Sequence, residues 1–155
     1  MNKVINCPSN GEDISHYFAR VFMAGGISNC PDWQKDFILG VDKGNMVLIN
    51  PRREDFDITN PNMASEQIEW EHKWLEQSQI IIFWFPEETL CPITLLELGK
   101  YMRSNKRIIV GTHPNYARRF DVIKQLSLTA PQIFVHDNLE GVMCELENVV
   151  RLWRR

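Results

Sequence analysis

Carboxylates beside strand ends are the side chains of this sequence most suited to chemistry, and Glu97 leads them. Before it runs Ile80 to Phe85, an unbroken series of β-branched and aromatic residues that predicts a strand buried on both faces. Pro86 ends that run, and Glu87, Glu88 and Thr89 make a polar loop. Pro92 then suits the first turn of a helix carrying Leu95, Leu96, Leu98 and Met102. Glu97 therefore falls early in a helix that follows a buried strand, where open α/β sheets bind their ligands. A carboxylate fixed there, near the positive end of a helix, is expected to stay ionised and to serve as a nucleophile. A structural alternative stands beside this one. Thr94-x-x-Glu97 matches a capping box, in which the glutamate only satisfies a helix N-terminus. Pro92 weighs against the cap, because it puts the helix start before Thr94.

The other loops expected on the same edge are GGISNCPD, NPRREDFD, GTHPNYARR and HDN. Gly25-Gly26 either lets the backbone approach a ligand or simply makes a tight turn. It is neither a G-x-G-x-x-G fingerprint nor a P-loop, so no dinucleotide or triphosphate site follows. Arg52-Arg53 and Arg118-Arg119 could hold an anion, although such pairs commonly just face solvent. Glu71, in EWEHKWLEQ, lies on a helix, where most charges are solvated. The histidines show no metal spacing such as H-E-x-x-H; His113 falls in one of the edge loops. No metal site is expected.

A frame that brings these loops together can be read from the apolar pattern. Strands are predicted over 20–24, 46–49, 80–85, 107–110 and 132–135. Helices are expected from Pro31 to about Val41, over 63–77, from Pro92 onward, through Phe120 to Leu126, and over 139–153. Strands alternating with helices imply parallel βαβ units with right-handed crossovers. The expected fold is one doubly wound, flavodoxin- or Rossmann-like α/β domain. Its five-stranded parallel sheet would have the order 2-1-3-4-5, with helices on both faces. Residues 1–17 read as a polar N-terminal arm, in which Val4-Ile5 could form a short edge strand, and residues 18–155 as the domain.

Composition narrows the partners. With 155 residues, 44% apolar residues and a formal net charge of −3, the chain is expected to be a single soluble domain without a general grip on nucleic acid polymers. No basic-then-apolar leader and no membrane-length apolar run is present, and the four scattered cysteines read as reduced thiols. A cytoplasmic location follows as the expectation. Trp70, Trp74 and Trp153 on sheet-covering helices suggest more apolar surface than one small domain buries, hence a homo-oligomer.

Four segments in order, VFMAGGISNCPDWQ, VLINPRRED, EQIEWEHKWLEQSQIIIFW and TLLELG, resemble the nucleoside 2-deoxyribosyltransferase-like proteins from about Arg20 to Leu126. The resemblance implies that Glu97, in Glu97-Leu98-Gly99, is the nucleophile. It implies that Glu71 helps to hold the nucleoside and that Phe22 takes the place of an aromatic near the end of the first strand. Gly25, Gly26, Asp32, Trp33 and Arg52 are implied as further substrate-binding residues. Many members carry Asp-x-Gly-Thr before the glutamate, whereas this chain has Cys91-Pro92-Ile93-Thr94. Glu88, with Glu87 beside it, is then the nearest replacement for the acid that protonates the leaving base. The implied activity is cleavage of an N-glycosidic bond through a glycosyl-glutamate and transfer of the sugar to a free nucleobase. Hydrolysis of a nucleoside 5′-monophosphate, with Arg52, Arg53 or Arg118 on the phosphate, is the alternative, and a catalytically silent nucleotide-binding protein is another. Neither catalytic route calls for a cofactor.

Overall fold

The computed structural model describes residues 1–11, 13–42 and 44–155. The elements run β1 (Lys3–Asn6), β2 (Ala19–Gly25), α1 (Trp33–Gly40), β3 (Met46–Asn50), α2 (Pro61–Gln77) and β4 (Ile80–Phe85). They continue with α3 (Pro92–Tyr101), β5 (Arg107–Thr112), α4 (Arg119–Thr129), β6 (Val135–His136) and α5 (Leu139–Trp153). All strand pairs are parallel, in the order β1-β3-β2-β4-β5-β6.

The expected doubly wound order is present, but the sheet has six strands rather than five. Lys3–Asn6 adds itself beside β3, with Val4 opposite Leu48 and Ile5 opposite Ile49. Ile5 is buried, so an apolar side chain within a polar segment was enough to draw that segment onto an open edge. The last strand also lies later than expected. Ile133 N–H donates to Ala130 O at 3.0 Å, so Pro131 and Gln132 make a turn and pairing begins only at Val135.

Alternation along β4 separates the two halves of the core. Ile81, Phe83 and Phe85 point to the face covered by α2, α3 and α4. Ile80, Ile82 and Trp84 point to the face covered by α1 and α5. Burial on both faces is the physical reason that this strand is apolar without interruption. Trp70 and Trp74 are 5% and 2% exposed. Those two rings are core residues of this chain, and they supply no surplus apolar surface for a partner subunit. Among the described residues no helix is long and apolar enough to cross a membrane.

Candidate functional site

Strand order reverses about β2: the chain moves outward to β3 by way of α1 and returns past β2 to β4 by way of α2. A crevice outside the carboxyl ends of β2 and β4 is where such sheets bind ligands. The loops that meet there are 26–32 and 86–91. They meet closely, because a Cβ on Gly26 would lie 2.7 Å from Pro86 Cγ and 3.0 Å from Thr89 Cγ2. Gly25 is equally constrained: its Cβ would come within 2.5 Å of the Trp33 ring and of the Trp84 carbonyl oxygen. Gly26 answers to packing between loops, and Gly25 to packing of β2 against α1 and β4.

The loop after β4 ends in Cys91, which caps α3 in the left-handed region with φ of 51°. A side chain rarely takes that conformation. Here the Cys91 thiol is buried and donates to Thr89 O at 3.5 Å. Pro92 opens the helix, and Leu95 N–H donates to Cys91 O at 3.0 Å. Thr94 is thus already inside the first turn, and Glu97 lies in the second. A capping box needs its acid three residues past the cap, a place filled here by Thr94. Glu97 is not a helix cap.

Glu97 is partly buried. Burial first, and then the charge of Glu71, push its carboxyl up from 4.5 to about 8, against a smaller opposing pull from Lys100. The ionised state expected from the helix dipole is therefore not the one these surroundings favour. In the second turn the dipole has faded, and lost hydration and a like charge outweigh it. Glu71 comes from the neighbouring α2. Its carboxyl is also raised by burial, with Gln67 opposing: Gln67 Nε2 donates to Glu71 Oε1 at 2.6 Å. The structure thus brings Glu71 and Glu97 together across the two helices.

A second cluster joins most of the residues proposed for substrate binding. Arg52 Nε donates to Gln34 Oε1 at 3.0 Å and pairs with Asp32 Oδ1 at 3.2 Å. Its Nη2 donates to Pro31 O at 3.0 Å and to Gly26 O at 3.4 Å. Trp33 Nε1 reaches the same Gly26 carbonyl at 2.9 Å. Asp32 also caps α1 by accepting from Lys35 N at 3.0 Å. Arg52 is in this way a strut between the loops after β2 and β3. A surface cavity of about 670 Å³ is lined by Asp32, Arg52 and Arg53, among others, and Glu97 is not one of its walls.

The remaining candidates are dispersed. Phe22 is 1% exposed and packs in the core against Trp70, the ring centroids 6.4 Å apart and the planes tilted by 49°. Glu88 is exposed on the loop after β4; its charge acts on Cys30 and Cys91, whereas the charges acting on Glu97 are those of Glu71 and Lys100. Arg53 is engaged by Asp55 through Nε at 2.9 Å and Nη2 at 3.1 Å. Arg118 pairs with Asp121 at 3.3 Å, and His113 lies 3.6 Å from Glu87.

The sequence profile of the nucleoside 2-deoxyribosyltransferase-like family matches residues 19–116, more than half of the chain. The chain belongs to that family. A search of curated proteins gives no match. Membership in the nucleoside 2-deoxyribosyltransferase-like family supports chemistry of the nucleoside glycosyl-transfer or N-glycosidase kind on small nucleosides and nucleobases. The matched segment contains both carboxylates of the α2–α3 pair and all of the Arg52 cluster. It stops short of β1 and Cys7, whose thiol donates to Gln67 Oε1 at 2.9 Å. No sequence pattern singles out Gln34 or Gln67. A glutamine on a helix looks solvated, and nothing local announces that Gln34 is fully buried under an arginine from a loop far along the chain.

Proposed function

We propose that this protein transfers a 2-deoxyribosyl group between nucleobases, with Glu97 as the nucleophile. The observation that carries the reading is a partly buried carboxylate in the body of α3. It caps nothing, lies beside a second carboxylate, and has no hydrogen-bond partner among the described residues. Such a group costs stability, and function is the usual reason that proteins keep one. In the reaction, ionised Glu97 bonds to the anomeric carbon as the bond from sugar to base breaks, and the departing base takes a proton. A second base then attacks the glycosyl ester, loses its own proton and releases Glu97. Glu71, held as an acceptor by Gln67, receives the sugar hydroxyls. Glu88, exposed on the loop that leads to α3, is assigned to protonating the leaving base.

The engaged arginines favour nucleosides over 5′-monophosphates as substrates. Arg52, Arg53 and Arg118 each already face a protein carboxylate, and a phosphate would have to displace it. The test is to incubate the protein with 2′-deoxynucleosides and a free base, separate the products, and look for a deoxyribosyl adduct on Glu97 by mass spectrometry. Exchange with an adduct in the wild type, and a fall of several orders of magnitude in Glu97→Gln, is the expected result. Exchange that survives Glu97→Gln, or none in the wild type, overturns the reading.

A further inference from the structure

Gln67 has its amide orientation fixed from two sides. Its Nε2 donates to Pro51 O at 2.8 Å, and a carbonyl can only accept. Its Oε1 accepts from the Cys7 thiol at 2.9 Å, and that sulfur carries its hydrogen because burial pushes it up to about 11. Turning the amide over would set oxygen against oxygen at Pro51 and leave Cys7 without its acceptor. Nε2 must therefore donate to Glu71 Oε1, the contact seen at 2.6 Å. Every link points its hydrogen the same way, from Cys7 to Gln67 to Glu71, and donors aligned in series strengthen one another. The relay begins just after β1, in a segment that the family match does not cover.

Glu71 and Glu97 repel when both are charged, so the pair holds a proton that each site alone would release sooner. The position of that proton is decided by the surroundings. Glu71 receives the Gln67 N–H, whereas Glu97 receives none among the described residues. The other charged or titratable groups around the pair are distributed as follows. From α3, Lys100 draws on Glu97, and it lies 3.3 Å from His72 and 3.7 Å from Glu76 of α2. Tyr101, also on α3, donates to Glu76 and feels Glu97. On the far side, Arg53 and Glu66 act on Cys7 with opposite sign. None of these donates a hydrogen bond to Glu97.

We propose that Cys7 and Gln67 are positioning residues: their relay holds Glu71 as the charged acceptor of the pair and leaves the pair's proton on Glu97. This rests on the transfer reading only for its catalytic consequence. Glu71 is kept ready for sugar hydroxyls, and Glu97 must give up its proton before it can attack.

The proton's position can be read without turnover. Full-length protein labelled at glutamate side-chain carboxyl carbons, assigned through Glu71→Gln and Glu97→Gln, is titrated by carbon NMR. In the wild type Glu71 changes at lower pH than Glu97. In Gln67→Met, which keeps the bulk and removes the donor, the Glu71 midpoint rises by about one to two pH units, the worth of a charge-assisted hydrogen bond. The Glu97 midpoint falls, since its neighbour is neutral over more of the range. Cys7→Ser retains a donor and keeps both midpoints, while Cys7→Ala moves Glu71 upward by a smaller step; this comparison also stands in if Gln67→Met does not fold. Glu71 titrating above Glu97 in the wild type overturns the proposal, as do unmoved midpoints in Gln67→Met. Identical Glu71 midpoints in Cys7→Ser and Cys7→Ala overturn the part played by Cys7. A protein that shows the expected titrations but exchanges no bases sinks the proposed function and leaves the relay standing.

Discussion

Glu97 links stability and activity through one proton. Its carboxyl is raised in the folded chain from 4.5 to about 8 by burial and by Glu71, so folding favours the protonated form. Below about pH 4.5 folded and unfolded chains both hold the proton. Between there and about pH 8 the folded chain retains a proton that the unfolded chain has lost, and stability falls as pH rises. Melting temperatures measured across that window are expected to decline in the wild type and to decline less in Glu97→Gln, which cannot ionise and melts higher at pH 8. Equal slopes would show that Glu97 is not the group responsible. Rate has the opposite dependence, because a nucleophile must be ionised: base exchange should climb toward pH 8 and level off above it. A rate falling through the same region would make Glu97 the acid and pass the nucleophile's role to Glu71. Glu97 was visible in the sequence because Pro92, five residues before it, dates the start of its helix. The Cys7–Gln67 contact was not visible, since it joins residues 60 apart in sequence and no local pattern encodes it.

At the scale of elements, loops are held in place by side chains that composition alone would assign to solvent. The paired arginines after β3 read naturally as anion ligands, yet Arg52 lies flat between two loops and spends its donors on Gln34, Pro31 and Gly26. Its partners are 18 to 26 residues away in sequence, beyond the reach of any helical or strand periodicity. Strands and helices, by contrast, declare themselves over a few residues, as the apolar run of β4 and Pro92 at the start of α3 both did. Arg52→Ala should therefore act on the frame. It strands the fully buried Gln34 oxygen, a loss of about 1–3 kcal/mol, seen as a melting temperature lower by several degrees. Nucleoside and nucleotide use should fall together. Arg52→Lys should rescue little, because an ammonium cannot span the same acceptors. Selective loss of nucleotide use in Arg52→Ala would restore the phosphate-binding alternative.

Across the whole molecule, the family match and the folding unit have different boundaries. Residues 19–116 contain four of the six strands and both carboxylates of the pair. The face that they leave bare is covered by α5, whose Val142, Leu146, Val149 and Val150 are all buried against Trp33, Phe37 and the back of β4 and β5. The outer flank of β3 is covered by β1, where Ile5 is 2% exposed and packs into the α2 side of the core. An excised 19–116 fragment would open both surfaces to water, and burial of apolar area is what offsets the entropy of ordering the chain. That fragment is expected to lack a cooperative thermal transition. Deleting residues 1–8 is the finer experiment, because it removes Ile5 and Cys7 and spares every other element. Losing a buried isoleucine costs about 2–5 kcal/mol even as a simple truncation to alanine, so Ile5→Ala sets the scale for the packing share of the deletion. If β1 only packs, the deletion and Ile5→Ala should lower melting temperature and leave the pH dependence of exchange in the surviving folded fraction alike. If it also anchors Gln67, only the deletion should shift the rate profile, moving its rising limb to lower pH as Glu71 takes up the proton and Glu97 is freed of it. Profiles that coincide would confine β1 to a packing role.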